Sequence, residues 1–372
     1  MVKKIKIKPK TEKVADSFEE YIDQEEVVDP EFIDPNNLVP IGSTTAHLEC
    51  SGHWEGAFKL GSMVNIIGDS HAGKTLLAFT IFAECNKLSR FDDYLFYYDD
   101  VEAANEFNLA KLFGKKCKDR IDQSIRSKTI ESFNDSIARL MDEGEPFIYV
   151  LDSFDAMTSE AAIKKDIENR KKREKGNETT GDYGDGKPGL FSRFCSLRIQ
   201  ELKDTNSLLI IISQTRDNIG FGSLFTPKTR SGGRALKFYA SFEIWLACQK
   251  QEKEKKRVMI TNVQGKISKN KLTGHHGEFY FPILRDYGID NIMSCINFLM
   301  DEGDWTGTKK AVNTKGFLTG TDSKGKTKHP SMKELIYYIE NENKSIELFK
   351  VCKKTYDNIM ESLKPDRKPK YN

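Results

Sequence analysis

Short apolar runs recur along the chain: Val64–Ile67, Leu95–Tyr98, Phe147–Leu151, Leu208–Ile212, Phe242–Ala247 and Val258–Val263. Each is four to six residues long and bounded by polar or turn residues, the signature of a buried strand. Between them, apolar positions return every three or four residues over 75–88, 103–113, 129–142 and 190–204. That period predicts helices. Strand and helix in alternation predict an α/β fold with a largely parallel sheet, with ligands at the carboxyl ends of the strands. The rhythm fails at both ends of the chain. Residues 1–37 are charged and Pro-dotted, with one weakly amphipathic stretch around Phe18, Tyr21 and Ile22. From about residue 289, "NIMSCINFLMDEGDW", a Gly/Lys/Thr-rich stretch and a helix from Ser331 suggest a small α-rich domain. The expected organisation is an N-terminal arm (1–37), a core (38–288) and a C-terminal domain with a basic tail (289–372).

Composition narrows the class. The chain has 372 residues, 38% apolar, with a formal charge of only +2, so it is not a basic nucleic-acid binder by bulk. The charge is uneven, however. Residues 1–13 carry six Lys and one Glu, and residues 16–34 carry nine acids and no Lys or Arg. Residues 163–175 hold seven basic against three acidic residues, and the tail "KPDRKPKYN" four against one. Such patches mark electrostatic contact sites or solvated faces rather than fold. No apolar run reaches 18 residues and the N-terminus has no apolar signal region, so neither a membrane span nor a secretory leader is expected. Seven scattered Cys fit reduced thiols in a cytoplasm-like compartment. His47, Cys50 and His53 in "HLECSGH" are close in sequence, but a zinc site needs a fourth ligand, so the run reads as structural.

The chemistry lies at the strand ends. "GDSHAGKT", Gly68 to Thr75, fits G-x-x-x-x-G-K-[ST] between an apolar strand and a helix. Its residues Gly68, Asp69, Ser70, His71, Ala72 and Gly73 would wrap a phosphate with backbone N–H groups, with Thr75 and Leu76 opening the helix. Lys74 would reach the β- and γ-phosphates, and the Thr75 hydroxyl would hold Mg²⁺. "FIYVLDSFDAMTS" ends its strand at Asp152, placed to orient the magnesium shell. "LFYYDDVEAAN" ends in Asp99, Asp100 and Glu102; Glu102 is the first candidate for the base that activates water, Asp100 the second. "LLIIISQTRDNIG" ends at Ser213 and Gln214, a neutral amide suited to sensing a γ-phosphate. After it comes a glycine-rich stretch in which Arg216, Lys228 and Arg230 interleave with Phe221 and Phe225. That composition suits a loop that wraps a nucleic-acid strand, or else a plain surface loop.

Over roughly residues 38–305 the chain resembles the RecA-type homologous recombinases, bacterial RecA and phage UvsX-like proteins. "SQTRDNIGFGSLFTPKTRSGGRALKFYAS" is similar to the family's sensor glutamine, second DNA-binding loop and following helix as one block. "PIGSTTAHL", "DVEAA", "VLDSFDAMT" and "ISKNKL" resemble further family segments. The resemblance implies a RecA-like P-loop ATPase core using ATP and Mg²⁺. It implies Glu102 as the catalytic glutamate, Glu106 as an acid near the adenine, and Lys269 and Lys271 as cations that complete the ATP site of the next protomer. It implies Ile219 as a wedge between base triplets, Arg216 and Arg234 near DNA phosphates, and Gly232 and Gly233 within the DNA-binding block. Leu109 falls where the family carries an aromatic over the adenine, with Phe107 close by. The implied partners are single-stranded DNA, homologous duplex DNA, further copies in a helical filament, and a loader or single-strand-binding protein. The implied setting is the cytoplasm of a bacterial or phage-infected cell.

The chain also departs from the family. The region matching the first DNA loop, 160–189, is enlarged and charged. The arm is not a long basic helix, although Phe18 or Phe32 could anchor a neighbour, and the tail is basic where bacterial RecA is acidic. Two other readings share the core: a motor ATPase of the hexameric-helicase or KaiC-like kind, and a non-catalytic recombination accessory. The Lys-x-Lys pair and intact Lys74, Thr75, Glu102 and Asp152 favour the recombinase.

Overall fold

A computed structural model describes residues 33–105, 107–176, 186–217, 228–230, 233–321 and 327–367. The chain divides into two compact units, Met1–Asp34 and Pro35–Asn372. Of the first, only Ile33 and Asp34 are among the described residues, so Phe18 and Phe32 lie outside them.

The second unit opens with β1 (Leu38–Val39), α1 (Thr44–Ser51) and β2 (Phe58–Lys59). The core follows as β3 (Ser62–Gly68), α2 (Lys74–Cys85), β4 (Leu95–Asp100), α3 (Leu109–Phe113), α4 (Lys115–Arg120), β5 (Ile121–Asp122), α5 (Ile130–Glu143), β6 (Phe147–Asp152), α6 (Glu160–Glu174) and α7 (Lys187–Asp204). It continues with β7 (Leu208–Asp217), β8 (Lys228–Arg230), α8 (Gly233–Tyr239), β9 (Phe242–Glu254), β10 (Arg257–Asn270), β11 (Glu278–Leu284) and β12 (Gly288–Ile289). Then come α9 (Asn291–Asp301), the hairpin β13 (Thr306–Thr308) and β14 (Ala311–Asn313), β15 (Gly320–Thr321), β16 (Thr327–Lys328), α10 (Met332–Asn341) and α11 (Ser345–Ser362).

The main sheet has the order β12-β11-β10-β9-β3-β7-β6-β4-β5. Strands β9, β3, β7, β6, β4 and β5 run parallel, and β10, β11 and β12 add an antiparallel edge. The central strands are buried on both faces, which is why they read as unbroken apolar runs rather than alternating ones. One face packs on α2, whose apolar residues are buried all round. The other packs on α5, α7 and α8 through Phe133, Phe191, Leu236 and their neighbours. A third cluster gathers α9, α10 and α11 around Trp305 and reaches back to Leu48 of α1. Among the described residues no helix is long and apolar enough to cross a membrane. All seven cysteines are unpaired, and only Cys248 is exposed.

All six expected strands form, each longer than the apolar run. The strand expected at Val258–Val263 extends over Arg257–Asn270 and runs antiparallel to β9, so the edge of the sheet is not parallel. The helix expected over 103–113 begins only at Leu109. The Asp100 carboxylate accepts the Ala104 and Asn105 N–H groups at 3.3 and 3.1 Å. That holds the segment in a turn until Asn108 caps the Lys111 amide at 3.0 Å. The charged insertion at 160–189 includes an α-helix, α6, capped by Ser159; residues 177–185 lie outside the described residues. The His47 ring spends both nitrogens on backbone, Nε2 accepting from Ile41 N–H and Nδ1 donating to Trp54 O, each at 2.8 Å. That leaves no lone pair for a metal.

Glu49, on α1, faces Glu302 after α9. Burial and that second carboxylate raise its pKa from 4.5 to about 7. The neutral acid is the form the fold prefers. Stability contributed below pH 4.5 is therefore lost as pH rises through 7. Glu49→Gln should raise stability at pH 8 on the order of 2 kcal/mol and leave it unchanged near pH 4. Thermal unfolding of both proteins from pH 4 to 8 checks this; parallel curves would refute it.

Candidate nucleotide site and strand-end cluster

The carboxyl ends of β3, β4, β6 and β7 converge because neighbouring parallel strands are in register: Gly68 pairs with Gln214, and Asp100 with Asp152. Gly68 continues into the loop that opens α2. Its backbone lies so close to β9 that a Cβ there would sit 2.7 Å from Leu246 O. Gly73 has φ +84° and a Cβ there would meet Ile283 Cδ1 at 2.6 Å, so both positions need glycine. A glycine cap brings no side-chain oxygen to the first-turn amides of α2, an arrangement that suits an anionic ligand. Asp69, Ser70 and His71 are exposed, whereas Ala72 and Leu76 are buried.

Lys74 Nζ donates to the carbonyls of Gly68 and Asp69, both at 2.8 Å. Burial lowers its pKa, opposed by Asp152, Asp69, Glu102 and Asp155 around it. Thr75 Oγ1 donates to Asp152 Oδ2 at 2.6 Å, and Tyr98 OH donates to the same oxygen at 2.8 Å. Burial raises the Asp152 pKa, and these two hydrogen bonds oppose the rise. Burial and the Asp152 charge push Tyr98 up in turn. Hydroxyl and carboxylate oxygens side by side are the donors a hard divalent cation takes. Beside them lies a cavity of about 360 Å³ lined by His71, Gly73, Lys74, Thr75, Leu76, Phe107, Thr261 and Ile283, large enough for a small-molecule ligand. These residues fit a nucleoside triphosphate with Mg²⁺. Phe107 is half exposed at this cavity and Leu109 is buried in the core, so Phe107 rather than Leu109 is the group that a base could meet.

Glu102 Oε1 accepts from Gln214 Nε2 at 2.9 Å and from Ser153 Oγ at 2.5 Å. The two residues are 112 apart in sequence. Asp155 accepts the Gln214 N–H at 2.7 Å and meets Arg216 at 3.4 Å. The Thr215 hydroxyl reaches the Asp69 carboxylate, which ties β7 to the phosphate loop. Asp100 is occupied by its turn, and Asp99 is fully buried, accepting from Ser127 N–H and Tyr149 OH.

Beyond Gln214, β7 pairs antiparallel with β8, Thr215 with Arg230 and Asp217 with Lys228, and residues 218–227 lie outside the described residues. Gly233 and an exposed Arg234 open α8. Glu106, Ile219, Phe221, Phe225 and Gly232 lie outside the described residues. Lys269 and Lys271 are not near Lys74. Asn270 pairs with Phe242 of β9, which pairs with Val64, four residues before Gly68. At 3.3 Å per residue the two lysines sit about 13 Å down the sheet from the phosphate loop, toward its opposite end. Lys269 Nζ instead donates to the Lys237 and Phe238 carbonyls at the end of α8, at 2.5 and 2.7 Å. Lys271 is exposed.

Sequence reasoning missed Tyr98, Ser153 and Asp155. A signal existed: Ser153 and Asp155 lie one and three residues after Asp152, and Tyr98 lies two residues before Asp100 on an expected strand. Their partners, however, come from other strands.

The family model described as the RecA N-terminal domain matches residues 36–290. Protein RecA of Azoarcus sp. (strain BH72) is 30% identical over 277 residues, covering 72% of this chain and 73% of that protein. Protein RecA of Caulobacter sp. (strain K31) is 28% identical over 277 residues, covering 72% and 70%. Protein RecA of Legionella pneumophila is 28% identical over 269 residues, covering 68% and 70%. With the phosphate loop, the carboxylates and Gln214 brought together at the ends of a mostly parallel sheet, the chain belongs to the RecA family.

Proposed function

We propose that this protein is a DNA-dependent ATPase that assembles head to tail on single-stranded DNA and pairs it with homologous duplex DNA. The contact between Glu102 and Gln214 carries the reading. It places the candidate base and the candidate sensor on one another, at the root of the β7–β8 ladder. When bound, ATP supplies the bond whose hydrolysis drives the cycle, and Mg²⁺ neutralises phosphate charge. Lys74 and the amides from Asp69 to Thr75 hold the phosphates. Thr75 and Asp152 hold the cation, with Tyr98 orienting Asp152. Glu102 takes the proton of the attacking water at Oε, and Ser153 and Gln214 fix that carboxylate. Gln214 releases Glu102 when a γ-phosphate competes for its amide. The shift passes along β7 to Arg216 and on to β8, whose Lys228 and Arg230 grip phosphates with it. Sequence is read by base pairing, so base-edge contacts from protein are few.

The place of two cations supports assembly. Lys269 and Lys271 cannot reach their own Gly68–Thr75 loop, which agrees with the role the family resemblance implies for them, in the site of a second copy. A contact of unlike surfaces repeats into a filament when its rotation does not close on itself as a ring. Phe238, 71% exposed beside Lys269, offers that contact an apolar anchor. A loader or single-strand-binding protein fits the same cycle in a bacterial or phage-infected cytoplasm. The arm (1–37), core (38–288) and C-terminal domain (289–372) are the proposed functional divisions.

The first experiment is ATP hydrolysis with and without single-stranded DNA, with the assemblies imaged. DNA-stimulated turnover on helical filaments supports the reading; DNA-independent turnover on rings favours a motor, and none at all an accessory. Mixing tests the shared site. Lys74→Ala and Lys269→Ala/Lys271→Ala proteins should each be inactive, yet a 1:1 mixture should regain about a quarter of wild-type turnover, since each supplies what the other lacks. A silent mixture would place both functions in one protomer.

A further inference from the structure

On the face of the sheet that packs on α7 and α8, mostly apolar, polar residues form a transverse row across β7, β3, β9 and β10, apart from Asp99 on β4. Asn65, at the middle of β3, is fully buried. Ser213 Oγ on β7 donates to Asn65 Oδ1 at 2.8 Å. The Asn65 Nδ2 has no hydrogen-bond partner among the described residues. Across from Asn65 on β9 stands Glu243, 3% exposed. Glu243 Oε1 accepts from Ser268 Oγ at 3.0 Å and from Trp245 Nε1 at 3.2 Å, and Trp245 Nε1 also lies 3.0 Å from Ser268 Oγ. Ser268 occupies the register shift between Ile267 and Lys269 on β10. Burying so many polar groups costs stability unless they are paired, so the row calls for an explanation beyond packing.

Its two ends supply one. Successive strand residues point to opposite faces. Ser213 therefore holds β7 from below while Gln214 meets Glu102 above. At the other end Ser268 precedes Lys269, whose ammonium holds the last turn of α8. Resting on the nucleotide-driven reading proposed above, we infer that the row Ser213–Asn65–Glu243–Ser268 is the link through which the position of Gln214 sets the position of Lys269 and α8. None of the four touches nucleotide; they are positioning residues. Apolar side chains in their place would pack but fix no relative position, because the hydrophobic effect has no direction. Hydrogen bonds do fix one at the Ser213–Asn65 and Glu243–Ser268 steps, Asn65 and Glu243 being neighbours through the pairing of β3 with β9, and such bonds lapse when strands slide past each other. The row thus joins a protomer's own phosphate sensor to the cations it lends its neighbour.

Trp245 reports on the row from inside it. In the full-length protein, adding a non-hydrolysable ATP analogue should change tryptophan emission, and Trp245→Phe should lack that change. Asn65→Leu and Ser213→Ala should bind the analogue with wild-type affinity, lose the emission change, and show DNA stimulation of hydrolysis reduced about tenfold. Ser213→Ala removes one oxygen and keeps the test valid if Asn65→Leu fails to fold. A merely structural row would lower the melting temperature while leaving signal and stimulation intact, which overturns the inference. So does analogue binding to the wild type without any Trp245-dependent signal. A wild type that binds no nucleotide, or binds it equally well after Lys74→Ala, fails differently: it removes the functional reading and this inference with it.

Discussion

With Lys74 changed to alanine, ATP hydrolysis should fall at least about 10²–10³-fold, and nucleotide-dependent DNA binding should vanish with it. Lys74 is the only cation of the phosphate loop, and its ammonium already lies over the loop between the Gly68 and Asp69 carbonyls. Four carboxylates face it, those of Asp152, Asp69, Glu102 and Asp155. Without the lysine they repel a phosphate that the amides alone must hold. The loss should thus appear in binding as well as turnover, which a fluorescent nucleotide can measure directly. Thermal unfolding serves as the control, because alanine leaves the helix-forming propensity of α2 intact. A variant that folds and still turns over ATP at the wild-type rate would end the assignment of this loop to phosphate.

Glu102→Gln should separate binding from chemistry. Turnover should drop about 10²–10⁴-fold, the usual contribution of a general base, while ATP and DNA still bind. Geometry makes the test clean. Glu102 uses one oxygen to accept from both Ser153 Oγ and Gln214 Nε2, and a glutamine side-chain oxygen can accept the same two bonds. Shape and contacts are kept; only the basicity is lost. Single-turnover hydrolysis together with DNA binding under an ATP chase checks both halves. Normal turnover would pass the role to Asp100, although that carboxylate already holds the Ala104 and Asn105 amides. A loss of DNA binding along with hydrolysis would mean instead that the Glu102–Gln214 contact itself is needed to order the β7–β8 ladder.

The architecture was largely legible because parallel strands buried on both faces declare themselves as apolar runs, as Ile148–Leu151 and Leu209–Ile212 do. The helix expected at 103–113 was not legible. Its apolar period was real, but the Asp100 carboxylate competes for the amides that would begin it, and that competition depends on where β4 ends. The 160–174 helix was missed for the opposite reason. Its packed face uses Ala162, Lys165, Asn169 and Lys172, so it carries no apolar stripe to read.

By itself the sequence determined the order of the main strands and most helices, the glycine-bounded Gly68–Thr75 loop, the polar residues that terminate each strand, and membership in a family. These are local properties: backbone freedom at glycine, side-chain period, and residue types that recur at fixed spacing. Tertiary structure alone decided which of those residues meet. It brought Glu102 to Gln214, bound Thr75 and Tyr98 to one oxygen of Asp152, and set Phe107 at the cavity in place of Leu109. It also put Lys269 and Lys271 beyond the reach of their own phosphate loop and drew Ser213, Asn65, Glu243 and Ser268 into one row. Each of these depends on strand order and register, which long-range packing sets and no local stretch of chain contains.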